Sequence, residues 1–164
     1  MRILGVDPGL NITGYGVIDA SPSGMRLVDA GIVRGGKGKS LAARVAEIHA
    51  GIAEVIEENQ PEAMAIEELY SHYERVKTSI LMGHARGVIV LAGVQAGLPV
   101  QHYAATQIKK IITGAGRASK EQMQLAVQRE LGLSSVPEPA DVADALAIAM
   151  THWFLGCRQQ AVSG

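Results

Sequence analysis

MRILGVDPGLNITGYGVIDASPSGMRLVDAGIV, residues 1–33, is the stretch that decides the fold. Ile3 to Val6 is a short apolar run, and Asp7-Pro8-Gly9 closes it with a strong turn signal. A second run spans Thr13 to Ile18 and a third Met25 to Val33, with Asp19-Ala20-Ser21-Pro22-Ser23-Gly24 between them. Three short apolar runs separated by turn residues predict an antiparallel meander of three strands.

Outward from the meander the period changes. Leu41, Val45, Ile48, Ile52, Val55 and Ile56 recur at helical spacing behind Ser40, a good N-cap residue, and Pro61 lies just beyond. Ala63 to Glu67 reads as a short strand, Val76 to Ala96 as a long helix rich in Gly and Ala, and Leu98 to Tyr103 as a further strand. Two helical segments follow, about Thr106 to Thr113 and Ser119 to Leu131, joined by Gly114-Ala115-Gly116. The last helix runs from about Pro139 to Leu155, with Val142, Leu146, Ala149 and Trp153 as its apolar stripe. This order predicts an α/β fold: a mixed five-stranded sheet, three antiparallel strands then βαβαβ counted from the third of them, flanked by helices on both faces in the RNase H-like manner. Residues 1–156 read as a single domain and 157–164 as a C-terminal tail.

The 164 residues are 48% hydrophobic with 19 Gly and 6 Pro, the composition of a globular chain with a core, not of a disordered one. The opening MRILGVDPG lacks the features of a signal peptide, and no apolar run reaches the roughly 18 to 20 residues of a membrane helix. The lone Cys157 cannot form an internal disulfide, so a cytoplasmic location and no membrane are expected. His49, His72, His84, His102 and His152 show no H-x-x-x-H spacing, which argues against zinc. The net charge of −1 lacks the basic excess of a typical nucleic-acid binder. Divalent ions on a carboxylate cluster would turn that balance positive.

Such a cluster is legible. Asp7 closes the first strand, Glu67 and Glu68 close the fourth, and Asp141 and Asp144 share one face of the last helix at i and i+3. Adjacent first and fourth strands, covered at one end by that helix, would gather these acids. Taken singly each has a structural explanation: Asp7 as a turn residue, the glutamates as solvated strand-end charges, Asp141 as an acid favoured at a helix start, Asp144 as a surface charge. Gathered carboxylates repel and call for a counter-charge, and hard oxygen ligands favour Mg²⁺ or Mn²⁺. Two such ions can activate a water and stabilise the leaving oxygen of a phosphodiester.

GVDPGLNITGYGVID (5–19), AIEELY (65–70), GHARGV (83–88), ASKEQMQ (118–124) and DVADALAIA (141–149) resemble, in order and near the same spacing, the motifs of RuvC-type Holliday-junction resolvases, over about residues 1 to 152. The resemblance implies an endonuclease that nicks two opposing strands of a four-way DNA junction and leaves 5′-phosphate and 3′-hydroxyl ends. It implies catalytic, metal-holding roles for Asp7, Glu67, Asp141 and Asp144, with two Mg²⁺ per site and Mn²⁺ as a substitute. A one-residue slip would exchange Glu67 for Glu68. In the segment after the second acid, Tyr70 resembles a base-stacking aromatic, and Arg75 and Lys77 are candidates to hold phosphates. Lys109 and Lys120 resemble lysines near the scissile phosphate, whereas Arg86 reads as a structural arginine. Paired symmetric cuts need two sites about a two-fold axis, so a homodimer is expected, with the small residues near Gly83, Ala85 and Gly87 at the interface. The resemblance also implies a branch-migration motor complex of the RuvA and RuvB type as partner.

Three other readings remain open from the residues alone, one of them a related RNase H-like nuclease acting on other substrates, which junction selectivity would tell apart. Asp-Pro-Gly-Leu-Asn-Ile-Thr-Gly also resembles the phosphate loop of actin-like ATP-binding domains, but a single copy argues against that class. A catalytically inactive junction-binding protein would be expected to lack one of the acids, and all four are present.

Overall fold

The computed structural model describes residues 1–69 and 75–162, with side chains to residue 156. Strands β1 (Arg2–Asp7), β2 (Ile12–Ser21) and β3 (Gly24–Arg34) form the antiparallel meander, and β4 (Ala63–Glu67) and β5 (Val100–Tyr103) continue it in parallel. The five-stranded order is β3-β2-β1-β4-β5. Helices α1 (Leu41–Asn59) and α2 (Val76–Gln95) cover one face; α3 (Ala105–Thr113), α4 (Lys120–Glu130) and α5 (Ala140–Val162) cover the other. The mixed five-stranded sheet and the order of elements along the chain match the sequence reading, and β1 and β4 are neighbours. The last helix does not stop near Leu155: it runs through Gly156 and past the expected tail boundary to Val162. An isolated glycine weakens a helix by about 1 kcal/mol without ending it.

Alternation along the strands sorts the core. Leu4, Val6, Val17, Met64 and Ile66 point toward α1 and α2 and pack on Ile48, Ile52, Ile56 and Ile89. Ile3, Ile18 and Ala65 point the other way and pack on Ile108, Met123, Val127, Leu146 and Ile148. Ser40 caps α1 by accepting from the Ala43 N–H at 3.2 Å. Ser119 and Gln122 close a capping box at the start of α4, with bonds of 2.8 and 3.2 Å.

How α5 meets the sheet sets the geometry of everything that follows. Gly5 lies opposite Gly16, and Asp7 opposite Gly14, in the β1–β2 ladder. A Cβ on Gly5 would stand 2.1 Å from the Ala145 carbonyl oxygen, and one on Gly14 would stand 2.2 Å from that of Asp141. A Cβ on Gly16 would lie 2.5 Å from Leu146 Cδ2. The strand glycines therefore form a trough into which α5 sinks, and Ala143, Ala145, Ala147 and Ala149 are fully buried.

Candidate active site

Asp7 is the last residue of β1, and the loop after it is tied down. Thr13, itself fully buried, donates from Oγ1 to the Gly9 carbonyl at 2.8 Å and accepts from the Gly9 N–H at 3.2 Å. A Cβ on Gly9 would collide with the Ile12 carbonyl at 2.0 Å, so the turn needs glycine there. Asn11 bonds the Arg44 side chain and, through its carbonyl, the Gly35 N–H at 3.0 Å. Asp7 thus projects from a fixed turn on the α5 face, the parity it shares with Ile3 and Gly5.

Glu67 ends β4 beside it, on the same face by parity with Ala63 and Ala65. Glu68 is exposed, and its charge is felt by Arg86 and His102 rather than by the other acids. The ladder thus separates the two glutamates that the sequence left exchangeable. Asp141 and Asp144 come from the first turns of α5, lowered into place by the Gly14 contact.

The electrostatics tie the four acids together. Burial first, then the charges of Asp144, Glu67 and Asp141, push Asp7 up from 3.8 to about 8, against a counter-pull from Lys120. Burial and the Asp144 charge raise Glu67, and Lys109 lowers it. Burial raises Asp144, Lys120 and Lys109 oppose the rise, and Asp141 adds to it. Asp7, Glu67 and Asp144, each pushed toward its protonated form by burial and by neighbouring carboxylates, mark a site lacking positive charge. Among the described residues no three His, Cys, Asp or Glu side chains already converge as a closed metal shell. The all-oxygen donor set suits a hard divalent cation.

The lysines stand where the acids need them. Lys109 of α3 and Lys120, first residue of α4, line a small cavity of about 180 Å³ with Glu67 and Asp144. A wider cleft of about 810 Å³ opens beside it, lined by Asp7, Pro8, Glu67, Glu68, Met82, Arg86 and Thr106 among others. Arg75 and Lys77 are exposed at the start of α2 and line neither space. Tyr70 lies outside the described residues.

Two groups were missed in the sequence as parts of this site. Arg86 lines the cleft and donates from Nε to the Glu67 carbonyl at 3.0 Å. Tyr103, opposite Glu67 in the β4–β5 ladder, shares a 2.8 Å hydrogen bond with His152 Nδ1 on α5. Burial raises the Tyr103 phenol and lowers His152, so the pair is a neutral tie between sheet and helix beneath the acids. GHARGV was the available signal for Arg86; nothing local marks the Tyr103–His152 pair.

The sheet order, with a carboxylate cluster at the ends of β1 and β4 completed by α5, defines the class: an RNase H-like protein with acids gathered at one end of its sheet. Residues 3–152 match the family model for crossover junction endodeoxyribonuclease RuvC, and the chain belongs to that family. A curated relative from Rhodopirellula baltica, "Crossover junction endodeoxyribonuclease RuvC", is 53% identical over 93% of this chain and 86% of its own. The solved structure of Thermus thermophilus RuvC superposes with a TM-score of 0.87 at 36% identity, covering 97% of both chains. T. thermophilus RuvC in complex with a Holliday junction substrate superposes at 0.88, covering 95% of this chain and 94% of that one.

Proposed function

We propose that this protein is a metal-dependent endonuclease that resolves four-way DNA junctions by paired nicks. The observation that carries the reading is the gathering of Asp7, Glu67, Asp141 and Asp144 at one end of the sheet, faced by Lys109 and Lys120 beside an open cleft. Mg²⁺, two per site, is the counter-charge these oxygens suit, and Mn²⁺ is the natural substitute. When bound, such ions activate water and stabilise the charge that develops on the phosphate. The chain's own residues do the rest. Asp7 and Glu67 hold the ligand oxygens on rigid strand ends, and Asp141 and Asp144 close the set from α5. Lys109 and Lys120 attract the scissile phosphate and draw the acids toward their ionised forms. Arg75 and Lys77, exposed after the second acid, are offered as phosphate contacts, and Tyr70 as the base-stacking residue.

A homodimer follows from the same reading, and α2 supports it. Ile80, His84, Gly87, Leu91 and Val94 are all exposed and recur at alternating steps of four and three, the seam of a helix pair. Ala85, expected at the interface, is instead fully buried against the protein's own core; Gly87 lies on the exposed seam. Replacing Ile80 by Glu should leave a folded monomer in sedimentation and remove paired nicking. A branch-migration motor of the RuvA and RuvB type is the partner proposed for the junction complex. The proposed unit of action is the single nuclease domain, read from the sequence as residues 1–156 and carrying the rest of α5 with it, in the cytoplasm. Among the described residues no helix is long and apolar enough to cross a membrane.

The test is cleavage of a synthetic mobile four-way junction beside a linear duplex, with Mg²⁺ and with chelator. Paired nicks confined to the junction and lost with chelator are expected. Binding without cleavage would replace the reading with that of an inactive junction-binding protein.

A further inference from the structure

Resting on the nuclease reading, we propose that Arg86 is a positioning residue whose guanidinium replaces a missing rung of the β1–β4 ladder and so keeps Glu67 turned toward Asp7. The argument starts from register. Met1 and Ala20 exchange both backbone bonds, at 2.7 and 2.8 Å, so the odd-numbered residues of β1 face β2 and the even-numbered ones face β4. Val6 lies opposite Ile66. In a parallel ladder a residue bonds to the two neighbours of its partner, and the rung after Val6 would run from the N–H of residue 8 to the Glu67 carbonyl. Residue 8 is proline and has no N–H. The turn that aims Asp7 therefore strips the donor from the residue that holds the second acid.

Arg86 Nε occupies that role at 3.0 Å. Its Nη2 meets Nδ1 of His102 on β5, so one planar group braces the ends of two neighbouring strands. Burial and the Arg86 charge hold His102 below its ordinary value, which leaves Nδ1 free to accept. The brace is anchored on α2 between fully buried Ala85 and Ile89. Without it the last peptide of β4 is held from the β5 side alone, by the Glu68 N–H donating to the Tyr103 carbonyl at 2.8 Å, and can tilt about that bond. Side chains 67 and 68 leave that segment on opposite faces, so a tilt carries Glu67 away from Asp7 and Asp144.

The test uses Arg86→Gln and Arg86→Lys, each alone and combined with Pro8→Ala, which returns an N–H to residue 8. Three quantities are read: the cleavage rate at saturating enzyme, junction Kd in chelator, and Mn²⁺ binding to the DNA-free protein by calorimetry. Loss of an outer partner of a ligand typically costs 10- to 100-fold in metal affinity or activity. Cleavage about tenfold slower or worse, weaker Mn²⁺ binding, an unchanged junction Kd and partial recovery on adding Pro8→Ala are expected. A weaker junction Kd with the saturated rate intact would make Arg86 a phosphate ligand and overturn the proposal. Unchanged Mn²⁺ binding, or no recovery with Pro8→Ala, would overturn it too. Arg86→Lys keeps the stem and charge and serves if the Gln variant does not fold. If wild-type protein cuts no junctions, the proposed function fails, while the Mn²⁺ measurements still decide the brace.

Discussion

On the face covered by α1 and α2, Leu4, Val6, Met64 and Ile66 meet Ile48, Ile52, Ile56 and Ile89. On the face covered by α5, β1 presents Gly5 and its neighbour β2 presents Gly14 and Gly16 to a helix lined with alanine. The first face keeps sheet and helices apart by the thickness of branched side chains and buries much apolar area. The second lets backbone meet backbone. Carboxylates at the ends of β1 and β4 and at the start of α5 come within electrostatic reach of one another only because the helix sits that low. One face holds the fold together, and the other has given up side-chain volume to place four charges where they repel.

The largest break of this contrast is at the charges themselves. Asp7→Asn keeps the shape and removes a ligand, and cleavage should fall by about a thousandfold, or ~4 kcal/mol, in a single-turnover assay. Stability should move the other way. The folded value of about 8 lies above the ordinary 3.8, so folding favours protonated Asp7. That stabilisation is complete below pH 3.8 and is lost as pH rises through about 8. Thermal melts of the metal-free protein should show this loss, and Asp7→Asn should flatten it; an unchanged profile would show that Asp7 does not carry the strain.

A paired substitution sharpens the comparison further. Gly5→Ala places a methyl 2.1 Å from the Ala145 carbonyl. Overpacking of this kind costs about 1–3 kcal/mol, and lifting α5 also separates Asp141 and Asp144 from Asp7. Ile52→Val, on the other face, should cost about 1 kcal/mol. Specific activity well below the melting point should collapse for Gly5→Ala and hold for Ile52→Val. Equal loss in both would mean that the two faces do not differ in kind. The smallest effect is expected at Lys120→Met, which removes a charge that draws on both Asp7 and Asp144. Cleavage should slow by about tenfold, as for loss of one hydrogen bond to a charged group, and the metal concentration for half-maximal rate should rise.

Each strand and helix announced itself in the sequence through local pattern: runs closed by Asp7-Pro8-Gly9 and Ser21-Pro22-Ser23-Gly24, and helical spacing behind Ser40 and Ser119. The four acids were legible because each falls at the end of such an element, and the family resemblance joined them. Lys109 and Lys120 needed that resemblance, since a basic residue on a helix has no local mark of purpose. The trough was also written in the sequence, as single glycines inside strands, but what enters it, Asp141 to Ala149, lies at the far end of the chain and no local pattern names it.

What the sequence determined by itself was the order of elements and the chemical type of the site, because period, turn residues and charge are properties of neighbours along the chain. Tertiary structure alone decided the rest. Strand parity turned Glu67 toward Asp7 and Glu68 away, the glycine trough lowered Asp141 and Asp144 onto the sheet, and the register set Pro8 where a donor was needed and brought in Arg86. Those outcomes depend on which backbones touch, and contact between distant segments is fixed by packing, not by composition.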